Sequence, residues 1–206
     1  MIKIERTDVM NFDNAIRGAR NPMNSWGRYD SYYNENGEFV FGENDFSLAK
    51  RLCKAGTDHR KFVRMIFVSV DITAPMYWWK EYDTYKISTV ANSTSTMHKF
   101  TSKPFELSDF STDHMNEEGI KAITDVINVL EDLRLRYLET KDKELWYTII
   151  QLLPSSYNQM RTCTLNYENL CNMYYARKSH KLAEWHTFCD WALDLPYFKD
   201  LFIQED

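Results

Sequence analysis

A run of amides ending in a guanidinium carries the most distinctive side-chain chemistry in this sequence. Asn166, Asn169 and Asn172 precede Arg177, between Leu153-Pro154 and the next charged stretch. Leu-Pro followed by Ser-Ser reads as a helix start. Met160, Cys163, Tyr167, Leu170 and Tyr174 then recur at helical spacing. On one continuous helix, Asn166, Asn169 and Arg177 fall within about 80° of each other, with Asn172 further round. Asparagine is a mediocre helix former, so three within two turns suit a face that binds something polar. Two readings stay open: a binding face, or surface amides that bond neighbouring backbone.

Other chemistry is sparser. His186 and Cys189, three apart on a helix, offer two metal ligands but need partners from elsewhere, such as His180 or Cys53. Core packing of Cys189 with His186 at the surface serves the pattern better, and no metal is expected. His98 or His59 beside a serine has no local signature of a nucleophile. Glu117-Glu118 and Glu131-Asp132 read as ordinary helix surface, with Arg134 and Arg136 as solvated charge. No glycine-rich phosphate loop or dinucleotide fingerprint occurs. Trp78-Trp79 suits stacking on a flat ligand or, better, a buried subunit contact. The Ser/Thr-rich stretch from Ile87 to Phe100 suits a loop whose hydroxyls and backbone groups hold something polar.

The elements that position these residues follow from periodicity. Ala15–Ala19 reads as a short helix ended by Asn21-Pro22. Asn36-Gly37 marks a hairpin between Tyr32-Tyr33 and Phe39–Phe41. A helix runs through Phe46 and Cys53 to a C-terminal Gly56. Phe62–Ile72 is the best strand, ended by Ala74-Pro75. Pro75 then opens a helix through Tyr82 that is aromatic nearly all round. Residues 101–114 read as a loop. Asn116 caps a long helix whose inner face is Ile123, Ile127, Leu130, Leu133 and Tyr137. Helices follow over Lys143–Leu152, Pro154–Arg177, Ser179–Leu193 and Tyr197–Ile203. Strands are thus expected in the front half alone.

The 206 residues suit one domain, with or without a helical lobe, and aromatic residues make up 15% of them. A net charge of −5 argues against a dedicated nucleic-acid binder, while leaving room for a small anionic ligand. The four cysteines form no Cys-x-x-Cys, and Cys163 and Cys171 would lie two helical turns apart, too far to bridge. The N-terminus lacks the apolar stretch of a signal peptide, and no apolar run reaches transmembrane length. A soluble cytoplasmic protein with reduced thiols is expected.

Taken together, three stretches resemble the flavin-dependent thymidylate synthases. That family carries Arg-His-Arg, then Ser-x-Asn-Glu-x-Ser-x-Arg-Tyr, and a C-terminal Leu-Pro…Asn-x-Arg-Ser-Leu-x-Asn-Phe-x-x-x-Arg followed by Ala-Gln-x-Glu-Ile. Here Leu153-Pro154, Asn166, Leu170, Asn172 and Arg177 stand at the matching offsets, and Ala183-Glu184-Trp185 resembles the segment after them. Ala74-Pro75 with Lys80-Glu81-Tyr82, and Asn92-Ser93-Thr94-Ser95, resemble the upstream motif, the latter with one residue inserted. The match spans roughly Gly56 to Phe100 and Leu153 to Trp185. It departs at Thr84-Tyr85-Lys86 for Arg-His-Arg, Ser93 for glutamate, Met97-His98 for Arg-Tyr, and Glu168 for a cation. Lysine does not replace arginine where a bidentate contact is needed. Arg161, Lys86, Lys99 and Arg64 are the cations available to compensate.

The resemblance implies an α+β fold, a small antiparallel sheet covered by long helices, over residues 1–206 as a single domain. It implies a divergent enzyme that binds flavin and a deoxyuridine nucleotide and transfers a one-carbon group to C5. The alternative is a non-catalytic oligomer of the same fold that binds nucleotide or flavin to sense or sequester it. Asn166, Asn172 and Lys86 would contact FAD. Ser95 would sit at the nucleotide phosphate, Asn92 would be a further substrate-binding residue, and Arg177 would bind the pyrimidine and stabilise charge developing on it. NADPH and methylenetetrahydrofolate would be co-substrates if the family activity is retained. The expected partners are a small-molecule nucleotide and other copies of the chain in a homotetramer, with neither nucleic acid nor membrane.

Overall fold

The structure, a computed structural model, describes residues 2–203. Six strands are β1 (Lys3–Met10), β2 (Tyr32–Tyr33), β3 (Phe39–Val40), β4 (Phe67–Pro75), β5 (Val90–Ser93) and β6 (Asn158–Asn166). Eight helices are α1 (Phe12–Ala19), α2 (Glu43–Lys54), α3 (Met76–Tyr82), α4 (Glu117–Thr140), α5 (Lys143–Leu152), α6 (Tyr167–Arg177), α7 (Ala183–Leu193) and α8 (Phe198–Phe202). Four strands form one sheet in the order β1-β4-β6-β5, and β2 pairs with β3 as an antiparallel hairpin. β4 and β6 run antiparallel. Met76 N–H donates to Tyr157 C=O, Tyr167 N–H to Ile66 C=O, and Thr162 Oγ1 to Asp71, so each pair steps down one strand as it steps up the other. The α+β class with a small antiparallel sheet is therefore present.

The sheet corrects the sequence reading at its most consequential point. Pro154 opens no helix. Residues 158–166 form β6, and the helix begins only at Tyr167. Strands are not confined to the front half, and Cys163 and Cys171 lie on different elements. The reason is visible in β6: Cys163 and Leu165 are buried while Thr162 and Thr164, which alternate with them, are exposed. That period of two, with two β-branched threonines, satisfies a half-buried strand. β1 was not anticipated, and the expected strand over Phe62–Ile72 begins as a 3-10 turn, Lys61–Met65, before β4.

The chain divides into two compact units. One comprises Met1–Lys3, Asp71–Tyr85 and Ala91–Thr162. Its α4 presents Ile123, Ile127, Leu130 and Leu133 inward, with Phe100, Phe105, Phe110 and Ile149 of α5 packed on them. Burying each such side chain contributes roughly 1.5–3 kcal/mol. Asn116 caps α4 by accepting from Gly119 N–H at 2.8 Å. Arg134 is not solvated as expected. It is buried, forks onto Glu131 at 2.6 and 2.7 Å, and donates to Thr101 C=O. The hydrogen bond from Arg134 holds the Glu131 carboxyl below the usual range. Trp78 and Trp79 of α3 are buried in this unit, and Trp79 Nε1 donates to Gln159 C=O at 2.9 Å. Both rings are buried by the chain itself, so their burial needs no subunit contact to account for it.

The second unit comprises Ile4–Val70, Lys86–Val90 and Cys163–Asp206. Phe12 of α1 centres an aromatic cluster with Phe39, Phe41, Tyr167 and Tyr197. A buried ion pair sits nearby in the sequence order α1–α2: Asp45, fully buried, accepts from Arg20 Nε at 2.6 Å. Its second oxygen takes the Asp30 and Ser31 N–H groups and the Ser31 hydroxyl. Asp30 in turn accepts from the N–H groups of Asn44 and Asp45, supplying the cap that Gly42 cannot. A Cβ at Gly42 would lie 2.2 Å from the Asp30 carboxyl carbon, so glycine is required for that approach. Among the described residues, no helix is long and apolar enough to cross a membrane.

Candidate functional site

The second unit contains Lys86, Asn166, Asn169, Asn172 and Arg177 of the residues singled out from sequence. β6 ends at Asn166, whose extended backbone makes it the N-cap of α6. Its Oδ1 accepts from Asn169 N–H at 2.9 Å, and Asn169 Oδ1 accepts from Asn166 N–H at 3.1 Å. This reciprocal capping box satisfies donors that a bare helix start would leave open. Asn169 Nδ2 also donates to Ile87 C=O at 2.9 Å. That bond ties the segment carrying exposed Lys86 to the start of α6. Asn172 follows Asn169 by three positions and is exposed. Lys86 is thus next to a backbone tether on the first turn of α6, and Asn172 lies one turn further along that eleven-residue helix.

Glu168 is buried in the first turn of α6. Arg60 meets it with both prongs, Nε to Oε2 at 2.9 Å and Nη2 to Oε1 at 3.0 Å. The carboxylate at the position where the resemblance would place a cation is thus neutralised by a cation from 108 residues away. The Glu168 hydrogen bond raises the Arg60 pKa further. Arg60 also lies over the Phe202 ring at 5.6 Å. With side chains 16% and 8% exposed, the pair is worth breaking as a test. Glu168→Gln is expected to lower unfolding stability in urea by about 2 kcal/mol, because Arg60 loses its charged partner in a mostly desolvated place. A change below about 0.5 kcal/mol would show the pair to be screened like a surface one.

Arg177 is the last residue of α6 and stacks over the fully buried Trp185 ring of α7 at 4.7 Å. It sits five residues beyond Asn172, roughly 140° round and about 7.5 Å along the axis. The two do not share a face. The arc expected for a continuous helix is lost at Asn166, which lies before the helix; Asn169 and Arg177 keep their separation of about 80°.

The first unit holds both Asn92 and Ser95, and of the two only Ser95 lines the cleft found there. Asn92 lies exposed in β5. Thr94 N–H donates to Met160 C=O at 2.9 Å, and Gln159 Nε2 returns a bond to Thr94 C=O at 2.8 Å. Ser95 Oγ accepts from His98 N–H at 3.0 Å, so its hydroxyl proton remains available to a ligand. A cleft of about 270 Å³ opens here, lined by Ser95, Thr96, Lys99, Lys103, Tyr157 and Asn158 among others. Lys103 is held by Asp109, whose hydrogen bond raises its pKa, while Lys99 is exposed. Hydroxyls and an ammonium around a cleft of that size suit a phosphate.

Other candidate chemistry is absorbed by structure. Arg161 donates to Asp83 at 2.7 Å and Gln159 at 3.0 Å and stacks on Trp79 at 4.2 Å, so it is already committed; Arg64 is exposed on its 3-10 turn. All four cysteines are buried, and desolvation pushes Cys53 up to about 12 and Cys171 and Cys189 to about 11. Thiolate nucleophiles need the opposite shift. His186 Nε2 lies 2.7 Å from His180 C=O. Among the described residues, no three His, Cys, Asp or Glu side chains gather as a metal would require.

No protein-family model matches the sequence, and no curated protein matches it significantly. Solved structures do. Thymidylate Synthase X (ThyX) from Helicobacter pylori with FAD and dUMP shares 18% identity over 98% of each chain, with a TM-score of 0.71. A second structure of the H. pylori flavin-dependent enzyme with FAD and dUMP gives 19%, 98% of each chain and 0.70. The UMP/dUMP methylase PolB from Streptomyces cacaoi, bound with 5-Br dUMP, gives 15%, 98% of this chain, 91% of the other and 0.67. At these identities the likeness establishes the fold.

Proposed function

From the fold it shares with flavin-dependent thymidylate synthases, we propose that this chain binds a uridine-type 5′-monophosphate together with FAD and transfers a one-carbon group to C5 of the pyrimidine. The observation that carries the reading is the Ser95–Lys99 cleft, in a fold whose similar solved structures hold dUMP or its 5-bromo analogue. Ser95 donates its hydroxyl to the phosphate and Lys99 supplies charge, while Asn92, exposed on β5 outside the cleft lining, is a further amide assigned to the nucleotide. The resemblance assigns Arg177 to the pyrimidine, where a guanidinium would favour negative charge as C5 becomes nucleophilic. Lys86, Asn172 and the first turn of α6 hold the flavin at its pyrophosphate. Asn166 contributes by capping that turn, and Arg60 offsets the Glu168 charge that would otherwise repel an anion there. Bound flavin supplies reducing equivalents, with NADPH and methylenetetrahydrofolate as reductant and carbon source. Like the oligomer that the resemblance implies, a homotetramer belongs to this proposal.

A second reading, ligand binding without turnover, is favoured by the commitment of Arg161 and Glu168 to internal partners. One experiment separates them. Purified protein is examined for flavin absorbance, for thermal stabilisation by dUMP, and for methyl transfer with NADPH and methylenetetrahydrofolate. Turnover supports the first reading; stabilisation without product supports the second. Absence of both flavin and stabilisation overturns both. Ser95→Ala combined with Lys99→Ala is expected to weaken dUMP binding by roughly a hundredfold, about 3 kcal/mol.

A further inference from the structure

The second unit carries a large groove that the nucleotide reading does not use. Its volume is about 1030 Å³. Phe12, Phe39 and Tyr197 form its floor, with Phe12 stacked on Phe39 at 5.4 Å and edge-on to Tyr197 at 5.7 Å. Thr7–Met10 of β1 line one wall, and Trp191 with the α7–α8 link lines the other. Trp191 Nε1 donates to Thr7 Oγ1 at 3.0 Å, fixing the indole against the strand. Tyr197 is held in the left-handed region at φ 60°, its hydroxyl placed between Phe41 N–H and Phe39 C=O. A non-glycine residue kept there marks a conformation imposed by its surroundings.

The groove has one sign of charge. Asp8, Glu38, Asp194 and Asp200 line it and are exposed, and none of its lining residues is Lys, Arg or His. Asp8, Asp194 and Asp200 form no ion pair among the described residues. Asp194 is also the C-cap of α7, whose last turn has no basic residue. A carboxylate at the negative end of a helix is unfavourable on its own, so helix and side chains together create a negative potential that a cation offsets. Finally, β1 is the terminal strand of its sheet, and an edge strand offers backbone groups to an incoming chain.

We propose that this groove binds an extended, basic segment of a partner protein, laid along Thr7–Met10. Its Lys or Arg side chains meet Asp8, Asp194 and Asp200, and its apolar side chains rest on Phe12, Phe39 and Tyr197. The four edge residues span roughly 13 Å, and the volume lies at the upper limit of small-molecule pockets. The all-acidic lining calls for a partner segment that carries cations, which favours a basic peptide over a second copy of this chain.

The probe is a fluorescently labelled octapeptide alternating lysine and valine, with an alternating glutamate–valine peptide as its counterpart, followed by anisotropy with the full chain. The lysine peptide is expected to bind with an affinity that falls as salt rises, and the glutamate peptide not to bind. Asp194→Asn with Asp200→Asn should weaken binding at least tenfold while thermal stability holds or rises. N-methylation of the valine amides should abolish binding if the segment pairs with β1. Equal binding by the N-methylated peptide, by the glutamate peptide or by the double variant overturns the proposal. So does spermine displacing the peptide at equal charge, or a dimer in sedimentation that the double variant dissociates.

Discussion

Asp45→Ala is expected to destabilise the fold by about 3–5 kcal/mol, the cost of leaving a buried cation without its partner. For a chain of this size that corresponds to a fall in Tm of roughly 10 °C. Asp45 is fully buried, and the Arg20 side chain is 4% exposed. Removing the carboxylate strands Arg20 in a place water scarcely reaches, and it leaves the Ser31 hydroxyl and two backbone N–H groups without their acceptor. The loss also reaches α2, because the Asp30 loop that caps α2 is itself held by Asp45. Asp45→Asn should lose less, since an amide oxygen still accepts from Ser31. The measurement is a urea titration on both variants. A loss below about 1 kcal/mol for Asp45→Ala would mean that the site relaxes to admit water.

Arg177→Ala is expected to reduce dUMP binding by at least a hundredfold, about 3 kcal/mol, while the oligomeric state stays as it was. Two effects add. On the proposed reading a charged donor is removed from the pyrimidine, and the stack on Trp185 is gone as well. A cation over a desolvated indole contributes up to about 2 kcal/mol, so a drop in Tm accompanies the loss of binding. Arg177→Lys separates the two. It keeps the charge but not the planar fork, and should recover stability better than binding. The checks are calorimetric titration with dUMP and sedimentation. Unchanged dUMP binding by Arg177→Ala would remove Arg177 from the site.

How much of this could be read beforehand varies with the distance over which each feature is decided. Locally decided features were legible. Asn116 does cap α4, Pro75 does precede α3, and Asn36-Gly37 does turn the β2–β3 hairpin. β6 failed because two periods compete within it. Met160, Cys163 and Tyr167 match a helix, while Thr162-Cys163-Thr164-Leu165 match a strand, and the β4 partner chosen by the fold decides between them. Asn166 and Asn169 follow the second of the two readings left open, bonding neighbouring backbone as a capping box at the start of α6. The Arg60 answer to Glu168 was invisible, since no local pattern links residues 108 apart. Likewise the Ser95 hydroxyl was legible as polar loop chemistry, but not its cleft with Lys99 and Lys103, which depends on how the 101–110 segment returns.

The pairing of β4 with β6 has a consequence for how the chain reaches its native state. Asp71 and Thr162 are 91 positions apart, and closing a loop of that length costs about 4 kcal/mol of chain entropy before any ladder bond compensates. Such long-range pairing slows folding. Both strands also contribute to both compact units, so neither unit is a contiguous stretch of sequence. A ribosome must therefore release most of the polypeptide before either unit can close, and no single truncation yields one of them. Until then the unpaired β4, rich in Val and Ile, is an exposed strand in search of a neighbour, and synthesis of this protein is the period in which it is most exposed to aggregation.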